Sequence, residues 1–510
     1  MFRILRNVTR LLRLARTLAR HDALFLLERL EVAPAVVVLA KVFSRRAPGR
    51  PGQRLARALQ EAGPTFIKLG QALSTRSDIL GEEMAADLSE LQDRLPPFPG
   101  DEACAFIEAE FGQPIGELFA SFEDTPIAAA SIAQVHFAVT SEGREVAVKV
   151  LRPGIEEAFA RDLELFFWVS ELIEAARPEL RRLKPVESIR TLAETVELEM
   201  DLRFEAAAAA EMGENFADDD TFSVPDVDWQ RTGKRVLTTE RVGGIPLDDR
   251  AAVLAAGLDP DTIIEHAASA FFNMVFRDGF FHADLHPGNW FVRADGGIVA
   301  VDFGIMGRID RSTRRHLAEM LLGFLTRDYR RAAEVHFEAG WVPGHRSVDT
   351  FTQACRSIGE PIMDRPQNEI SIARLLGQLF QVTETFEMET QPQLLLLQKT
   401  MLVAEGTGRE LAPEANMWLL ARPLVEDWYV EHMGPEARLR EIAEQLIETA
   451  ARVPALVAKM EANADAIADG NIRLHLDTLR ALRGDSRYGW VMKAFWIAAA
   501  LAGLLILALD

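Results

Sequence analysis

The chain has 510 residues, about three times the length of a typical single domain, and can therefore bury a large core. Its 48% apolar and 26% charged residues exclude a disordered or fibrous protein. The net charge of −21 argues against general nucleic-acid binding, and two cysteines are too few for a disulfide framework, so we expect a reducing compartment.

The first 20 residues combine a row of arginines with apolar residues at helical spacing and contain no acidic residue. On a helix this pattern predicts a cationic face beside an apolar face, which suits a helix lying on anionic lipid. It suits equally well a surface helix that packs on the acidic body of the same protein. The arginines are Arg3, Arg6, Arg10, Arg13, Arg16 and Arg20.

A helical segment at 55–95 carries polar residues within an apolar pattern and ends at Pro96. Lys68 and Gln71 are three residues apart and therefore share a helix face, with Gly70 between them. Such regular polar positions predict either a buried polar site or an ordinary exposed helix surface.

An alanine-rich segment precedes Lys149 at the interval where a kinase carries its glycine-rich phosphate loop. Alanine restricts φ and adds methyl groups, so this alanine loop should close on phosphates differently from a glycine loop. The alternative is a helix start capped by Ser131. The alanine loop consists of Ala128, Ala129, Ala130 and Ser131.

Lys149 is the one cation in the apolar β-like run at 146–150, and its ammonium needs a partner if it is buried. The α/β-phosphates of a nucleotide are one such partner, and the alternative is a lysine at a strand edge. Carboxylates in the helical stretch at 155–215 could also hold it, although acidic residues are common on helices. They are Glu197, Glu199, Asp201 and Glu205.

Two motifs in the second half of the chain carry oxygen ligands for a metal. In His282–Asn289 (HADLHPGN), Asp284 and Asn289 are spaced like the base and the metal ligand of a kinase-type loop. The amide oxygen of Asn289 can ligate Mg²⁺, while Asp284 can accept a proton or orient water. Asp302 opens an Asp-Phe-Gly triplet after a β-like run and can bridge Mg²⁺ to a nucleotide.

The C-terminal residues 494–509 are all apolar or glycine, and the stretch extends back to Tyr488 with Lys493 as its one charge. As a helix, residues 488–509 would cover about 33 Å, enough to cross a hydrocarbon core of about 30 Å. Basic residues before the span predict that the large N-terminal part is cytoplasmic. We expect a single-pass or hairpin membrane anchor; the alternative is a buried terminal helix in a homodimer.

β-like runs cluster in the first half of the chain, and the second half is mostly helical. This order predicts an α+β protein with a small β-rich lobe followed by a larger helical lobe. The β-like runs are at 135–139, 145–151, 236–240, 290–292 and 298–301.

Taken together, the motifs resemble the UbiB family of atypical kinase-like proteins, which support ubiquinone (coenzyme Q) biosynthesis. The K-x-G-Q motif of that family corresponds to Lys68–Gln71, its E-x-D motif to Glu199–Asp201, and its H-x-D-x-H-P-G-N motif to His282–Asn289. The alanine loop also matches the family pattern. Ordinary kinases lack both K-x-G-Q and the alanine loop.

The resemblance implies a protein-kinase-like bilobal fold with a K-x-G-Q extension across the place where a protein substrate would dock. It further implies a basic amphipathic region at 1–50, the extension at 51–125, an N-lobe at 126–242, a C-lobe with a helical tail at 243–485 and a transmembrane segment at 488–509.

The resemblance also implies ATP and Mg²⁺ as cofactors and assigns roles to site residues. Lys149 would contact phosphates with Glu205 as its helix partner, and Glu199 would pair with Lys68. Glu240 and the backbone to Gly243 would form the adenine hinge. Asn289 and Asp302 would bind Mg²⁺, and Asp284 would be the catalytic carboxylate.

The implied function is a Mg²⁺-dependent ATPase at the cell inner membrane that aids access to membrane-embedded quinone precursors. Its expected partners are anionic membrane lipid, quinone precursors and enzymes of ubiquinone biosynthesis. One alternative is a true kinase acting on a small molecule or a protein. The other is a non-catalytic lipid-binding scaffold switched by nucleotide.

Overall fold

A computed structural model of the protein contains one compact unit, Met1–Tyr429, that includes every residue described below. The second unit, Val430–Asp510, contains the membrane span expected at 488–509 and lies outside the described residues. Within the described part, no helix is both long and apolar enough to cross a bilayer. The described residues are 2–25, 38, 40–74, 81–89, 91, 95–176, 184–361, 382–383, 385–388, 392–415, 420, 422–426 and 428–429.

The described part is a mixed α+β structure, as the order of sequence patterns predicts. Its helices are α1 (Phe2–Arg20), α2 (Pro51–Ala62), α3 (Pro64–Ser74), α4 (Glu82–Ser89), α5 (Gly100–Phe111), α6 (Ile115–Leu118), α7 (Ile155–Ala176), α8 (Pro185–Glu199), α9 (Leu202–Asn215), α10 (Arg250–Ala255), α11 (Pro260–Phe272), α12 (Arg311–Leu325), α13 (Tyr329–Glu338), α14 (Val348–Gly359) and α15 (Pro392–Leu411). Its strands are β1 (Phe119–Phe122), β2 (Ala128–Ala129), β3 (Ala133–Thr140), β4 (Glu145–Leu151), β5 (Phe222–Ser223), β6 (Val236–Glu240), β7 (Ile245–Pro246), β8 (Phe280–His282), β9 (Trp290–Val292), β10 (Ile298–Ala300) and β11 (Met306–Arg308).

The small lobe is built on a five-stranded antiparallel sheet with the order β1–β3–β4–β6, and β2 pairs with β3. Side chains alternate along β4 because successive residues of a strand point to opposite faces. Val146, Val148 and Val150 are buried on one face, and Lys149 lies on the other. Lys149 is paired with Val135 and Leu237 on the flanking strands, so it stands at the centre of the sheet and not at an edge.

Each face of this sheet is covered by a helix. On the valine face, Ile107 of α5 packs into the same apolar cluster as the three valines, and each buried valine contributes about 1.5–3 kcal/mol. On the opposite face, Leu202 and Ala206 of α9 pack with Leu151 and Leu237. Helix α9 therefore runs beneath the face of the sheet that bears Lys149.

The N-terminal helices join the small lobe through the long helix α7. The rings of Phe66 on α3 and Phe166 on α7 meet edge to face with centroids 5.1 Å apart. Leu55 and Leu59 of α2 and Leu88 of α4 are buried in the same cluster. The K-x-G-Q helix α3 is thus part of the hydrophobic core and not an exposed addition.

Helix α1 packs its apolar face against the protein. Leu11, Ala15 and Leu18 are almost completely buried. Arg6 and Arg10 form ion pairs with Glu164 of α7 at 2.6 and 3.4 Å. Of the two interpretations of the arginine-rich segment, the structure shows the surface helix that packs on the body of the protein, because the apolar stripe is occupied by protein contacts.

The larger lobe is mostly helical and contains two small sheets. One has the strand order β5–β10–β9–β7, and the other pairs β8 with β11. Phe222, Trp290 and Phe281 are fully buried in its core. Strands β9 and β10 form a hairpin, and β11, which follows the loop after β10, pairs with β8.

Most strand predictions are confirmed, and two local expectations need correction. The alanine loop is not a helix start capped by Ser131: Ala128 and Ala129 form β2, and a turn closed by an Ala130 N–H to Ala133 carbonyl bond of 2.8 Å follows. The β-branched and apolar residues of β3 draw the segment into the sheet, overriding the helix propensity of alanine. The sheet also includes β1, although the domain bounds expected from the sequence assigned residues 119–122 to the extension at 51–125.

Candidate functional site

Three predicted residues meet directly between the lobes. The Nζ of Lys149 lies 2.7 and 2.9 Å from the two carboxylate oxygens of Glu205 and 2.9 Å from Oδ1 of Asp302. Glu205 is in the first turn of α9, where the helix dipole favours a negative charge, and the Asp201 side chain caps this helix. One ammonium therefore serves two carboxylates that come from different lobes.

The pKa values of the two carboxylates in this triad shift in opposite directions. Burial raises the pKa of Glu205 to about 7 against the attraction of Lys149, and the nearby Asp302 raises it further. Burial is the largest single influence on the pKa of Asp302 and acts in the same direction, but the charge and the hydrogen bond of Lys149, together with the N–H of Gly304, lower this pKa below its ordinary value. Burial alone would lower the pKa of Lys149, and the two carboxylates reverse that and raise it. Lys149 and Asp302 are therefore charged near neutral pH, whereas Glu205 is close to half protonated.

His282 links the loop after β8 to the strand that leads into Asp302. Its Nδ1 accepts the N–H of Asp284 at 3.2 Å, so Nε2 carries the proton and donates to the carbonyl of Val301 at 3.2 Å. Burial lowers the pKa of this imidazole and keeps it neutral. The ring thus fixes the position of Asp284 relative to Asp302 from inside the core.

Asn289 stands beside Asp302 because of the β9–β10 pairing. The N–H of Val301 donates to the Asn289 carbonyl at 2.8 Å, which places Asp302 one residue beyond that bond. The side-chain amide of Asn289 donates to the carbonyl and to a carboxylate oxygen of Asp284, both at 3.1 Å. Its amide oxygen therefore faces away from Asp284 and is available as a ligand.

Asp302 has a left-handed backbone conformation with φ of 61°, which is uncommon for a residue other than glycine. Such a conformation costs about 1–2 kcal/mol and persists where the surroundings enforce it. A Cβ at Gly304 would come within 3.3 Å of Oδ1 of Asp302, so the glycine leaves space at this carboxylate. The strain coincides with the position expected to bind Mg²⁺.

The alanine loop lies at the end of β2 and contains a fully buried serine. The Oγ of Ser131 makes no hydrogen bond within the described part of the chain. A buried hydroxyl without a partner is costly, and a bound ligand or a movement of the loop would satisfy it.

Glu240, the residue expected to form part of the adenine hinge, is exposed at the end of β6. Its N–H donates to the carbonyl of Asp226 at 2.8 Å, and it pairs with Val146 in the sheet. A Cβ at Gly244 would lie 2.6 Å from the carbonyl oxygen of Val292, so glycine allows the connection between the lobes to pass close to β9. Among the described contacts, the side chain of Glu240 does not touch the Lys149 triad.

The K-x-G-Q and E-x-D motifs contact each other away from the triad. The Nζ of Lys68 lies 2.9 Å from a carboxylate oxygen of Glu199, and both side chains are largely buried. A Cβ at Gly70 would come within 2.5 Å of Leu91, so the glycine permits close packing of α3. Asp201 accepts hydrogen bonds from the guanidinium of Arg203, which lowers the pKa of Asp201. Gln71 is half-buried, and its backbone carbonyl accepts a hydrogen bond from the hydroxyl of Ser74.

Comparison with known proteins places this arrangement in a family. Residues 90–336 match the ABC1 atypical kinase-like domain, and residues 355–416 match the UbiB helical domain. A protein of Marinobacter nauticus named "Probable protein kinase UbiB" is 42% identical over 463 residues, which are 89% of this chain and 84% of that protein. The chain belongs to the UbiB family.

Further relatives agree with this assignment. The proteins of the same name from Pseudomonas entomophila and Azotobacter vinelandii are 41% and 43% identical and match 86% and 79% of this chain, which are 84% and 76% of those proteins. A solved structure of Rv3197 with erythromycin from Mycobacterium tuberculosis is 28% identical, with a TM-score of 0.49, and covers 70% of this chain and 90% of its own. The family model and the relatives named UbiB confirm the resemblance inferred from the motifs.

The donor set of this UbiB protein fits Mg²⁺ held jointly with a nucleotide. Asn289 and Asp302 offer hard oxygen ligands, and Mg²⁺ takes the remainder of its octahedral shell from phosphates and water in such sites. In the described part of the chain, no cluster of three or more His, Cys, Asp or Glu side chains forms a metal site by itself. Lys149 lies next to this position and carries the positive charge that phosphates require.

Three residues of this UbiB protein have structural roles that the sequence analysis missed: His282, Gln134 and Arg152. Gln134 and His136 are both fully buried on one face of β3. Polar residues at alternate positions of a largely apolar strand share one face, and this pattern could have identified Gln134 from the sequence. Arg152 directly follows β4, and its contacts depend on chain segments that no local pattern connects to it.

Proposed function

We propose that this chain is a Mg²⁺-dependent kinase-like ATPase that supports ubiquinone biosynthesis at the inner membrane. The observation that carries the proposal is the convergence of Lys149, Glu205 and Asp302 beside the Asp284–Asn289 pair. This set combines a fixed cation for phosphates with two hard oxygen ligands and a carboxylate next to them. Membership of the UbiB family supports the same reaction class.

Each residue has a role that follows from its position. Lys149, held by Glu205, would contact the α/β-phosphates, and Asn289 and Asp302 would hold Mg²⁺. When bound, Mg²⁺ supplies electrostatic stabilisation of the charge that develops on the phosphates. Asp284, whose orientation is set by the Asn289 amide, would orient the attacking water and accept its proton.

The products of this reaction are ADP and inorganic phosphate, because water is the acceptor. The K-x-G-Q extension supports hydrolysis over peptide phosphorylation, since α3 is packed into the core and Lys68 is paired with Glu199. An extension anchored in this way does not leave as a flexible arm would. We propose that turnover helps apolar quinone precursors leave the bilayer and reach soluble enzymes.

The direct test is phosphate release by the full chain bound to liposomes that contain anionic lipid, with and without a phenolic mimic of the quinone headgroup. Asp302→Asn should lower phosphate release by about 10²–10³-fold, because it removes a charged ligand at the reacting phosphates. Asp310→Asn is the matched control, since Asp310 caps α12 and asparagine caps a helix equally well.

Unchanged turnover in Asp302→Asn would refute the assignment of the site. Stimulation by anionic liposomes or by the phenolic mimic is expected, and its absence would argue against the quinone-related part of the proposal while leaving the ATPase part. Transfer of labelled phosphate from ATP to a defined acceptor would instead favour a true kinase.

A further inference from the structure

A short proline-rich segment connects the K-x-G-Q extension to the small lobe. This proline linker, residues 95–99, reads Leu-Pro-Pro-Phe-Pro. Three prolines in five residues make the linker stiff, since each ring fixes φ and favours an extended conformation. The linker can therefore transmit a displacement from one end to the other better than a flexible loop could.

One end of the proline linker is attached to β3 by a buried glutamine. The side chain of Gln134 accepts the N–H of Phe98 at 3.0 Å and donates to the Phe98 carbonyl at 3.1 Å. Gln134 also pairs through its backbone with Ala129 of the alanine loop. Its amide nitrogen lies 2.8 Å from Nε2 of His136, whose Nδ1 donates to the Glu123 carbonyl, so the orientation of this amide is fixed.

The other attachment is the guanidinium of Arg152. It donates twice to the carbonyl of Ala130 in the alanine loop, at 2.8 and 3.1 Å. It also donates to the carbonyls of Pro96, at 2.9 Å, and Leu95, at 3.4 Å. Its plane lies over the ring of Phe98 at 5.7 Å. The backbone N–H of Arg152 donates to the carbonyl of Ile132, directly after the loop, at 2.8 Å.

The guanidinium of Arg152 is held by main-chain groups. Within the described residues, all four hydrogen bonds of the Arg152 guanidinium go to main-chain carbonyls and none goes to a carboxylate. Burial lowers the pKa of this guanidinium, so a charge at this place costs free energy. Its planar fork can donate to two loops at once in a fixed geometry, which a flexible lysine cannot do.

We propose that Arg152 is a positioning residue that couples the alanine loop to the proline linker, so that nucleotide binding under the loop and the seating of the K-x-G-Q extension depend on each other. This inference rests on the nucleotide site proposed above. A loop that moves to meet phosphates must either break the two bonds to Ala130 or carry Arg152, and with it the linker. Such coupling is reciprocal: the seating of the extension changes nucleotide affinity by the same factor.

Packing within the K-x-G-Q extension connects the proline linker to α3. Leu91 is buried and packs so closely on Gly70 of the K-x-G-Q motif that a Cβ there would come within 2.5 Å of its side chain. Leu91 lies just upstream of the proline linker in the chain. A shift of the linker therefore bears on the packing of α3 and, through it, on the Lys68–Glu199 pair.

The test is amide hydrogen exchange of the full chain, free and with Mg²⁺–ADP or a non-hydrolysable Mg²⁺–ATP analogue. Because prolines have no amide hydrogen, Phe98 supplies the one exchangeable backbone amide of residues 96–99 and reports directly on the linker. Protection of residues 128–134 and 146–151 reports nucleotide binding in the same experiment. The variants are Arg152→Met, Arg152→Lys and the control Arg314→Met.

Arg314 is the matched control because it is also a half-buried arginine that donates to two main-chain carbonyls, those of Phe276 and Arg277, in the other lobe. In the wild type and in Arg314→Met, nucleotide should change Phe98 exchange by about fivefold or more, a typical size for coupling between sites. In Arg152→Met, Phe98 should exchange about tenfold faster without nucleotide and should no longer respond to it.

Arg152→Lys keeps the charge and can reach one carbonyl, so a partial response of Phe98 is expected; it also serves if Arg152→Met does not fold. An equal Phe98 response in the wild type and in the Arg152 variants would overturn the proposal. So would protection of residues 146–151 in the wild type with no change at Phe98. Absence of protection at both places would overturn the nucleotide site itself and the coupling with it.

Discussion

Replacing Glu205 with glutamine should change how the stability of the protein depends on pH. Glu205 is buried beneath the sheet and shares Lys149 with Asp302, so its pKa rises from 4.5 to about 7 on folding. Between these values the folded protein binds more protons at this residue than the unfolded chain does. The contribution of Glu205 to the free energy of unfolding is therefore present at low pH and is lost as pH rises through this window.

Glutamine keeps the shape and can accept a bond from Lys149, but it does not titrate. Each pH unit between 4.5 and 7 corresponds to about 1.4 kcal/mol. From pH 5.5 to 7, the Glu205→Gln variant should therefore gain about 2 kcal/mol relative to the wild type, and the difference should level off above pH 7. The shifts of Lys149 and Asp302 do not interfere, because the pKa of Lys149 is raised and that of Asp302 is lowered, away from this window.

The assay is urea denaturation of both proteins without Mg²⁺ or nucleotide, followed by tryptophan fluorescence. Buried Trp290 directly follows Asn289 and reports on the larger lobe. Glu211→Gln, at a half-exposed position of the same helix where Glu211 pairs with Arg308, controls for the loss of one paired carboxylate from α9. A difference between the Glu205→Gln variant and the wild type that is constant from pH 5.5 to 8.5 would refute the reasoning, because Lys149 would then fully compensate the burial of Glu205.

Two further pairs of substitutions test the packing around the site. Lys68→Met leaves the largely buried carboxylate of Glu199 without its partner at 2.9 Å and should lower the free energy of unfolding by about 2–4 kcal/mol. In a double-mutant cycle measured by denaturation, the variant that combines Lys68→Met with Glu199→Gln should lose less stability than the sum of the two single changes. Gly307→Ala would place a Cβ 2.1 Å from the fully buried ring of Phe281 and should cost about 3 kcal/mol of stability or prevent folding. Gly213→Ala, whose Cβ has space in α9, should instead raise the stability by about 0.5–1 kcal/mol. Equal melting temperatures for these two variants would contradict the packing argument.

Local patterns predicted the parts of the site that are built from short segments. The apolar β-like run at 145–151 predicted β4, and the structure shows Lys149 on the face opposite the valines. The spacing of Asp284 and Asn289 placed both on one turn, where they are hydrogen-bonded. These predictions hold because side-chain direction in a strand and geometry in a tight turn are set by neighbouring residues.

Other expectations depended on knowledge of related sequences. Nothing in the acidic helical stretch distinguishes Glu199 from Glu205 as the partner of Lys149, and the resemblance to the UbiB family supplied that choice. The structure pairs Lys149 with Glu205 because α9, capped at Asp201, runs beneath β4. Glu199 ends the preceding helix and faces Lys68 instead.

The sequence alone predicted two lobes, a lysine in a strand that is expected to contact phosphates, and two residues expected to be oxygen ligands, since periodicity and motif spacing are properties of adjacent residues. Only the folded chain decided that α1 buries its apolar stripe against α7, that the alanine loop is a strand and a turn, and that Arg152 joins this loop to the proline linker. The packing of α1 and the contacts of Arg152 join segments far apart in sequence, and all three depend on burial and hydrogen bonds that exist only after the chain has folded.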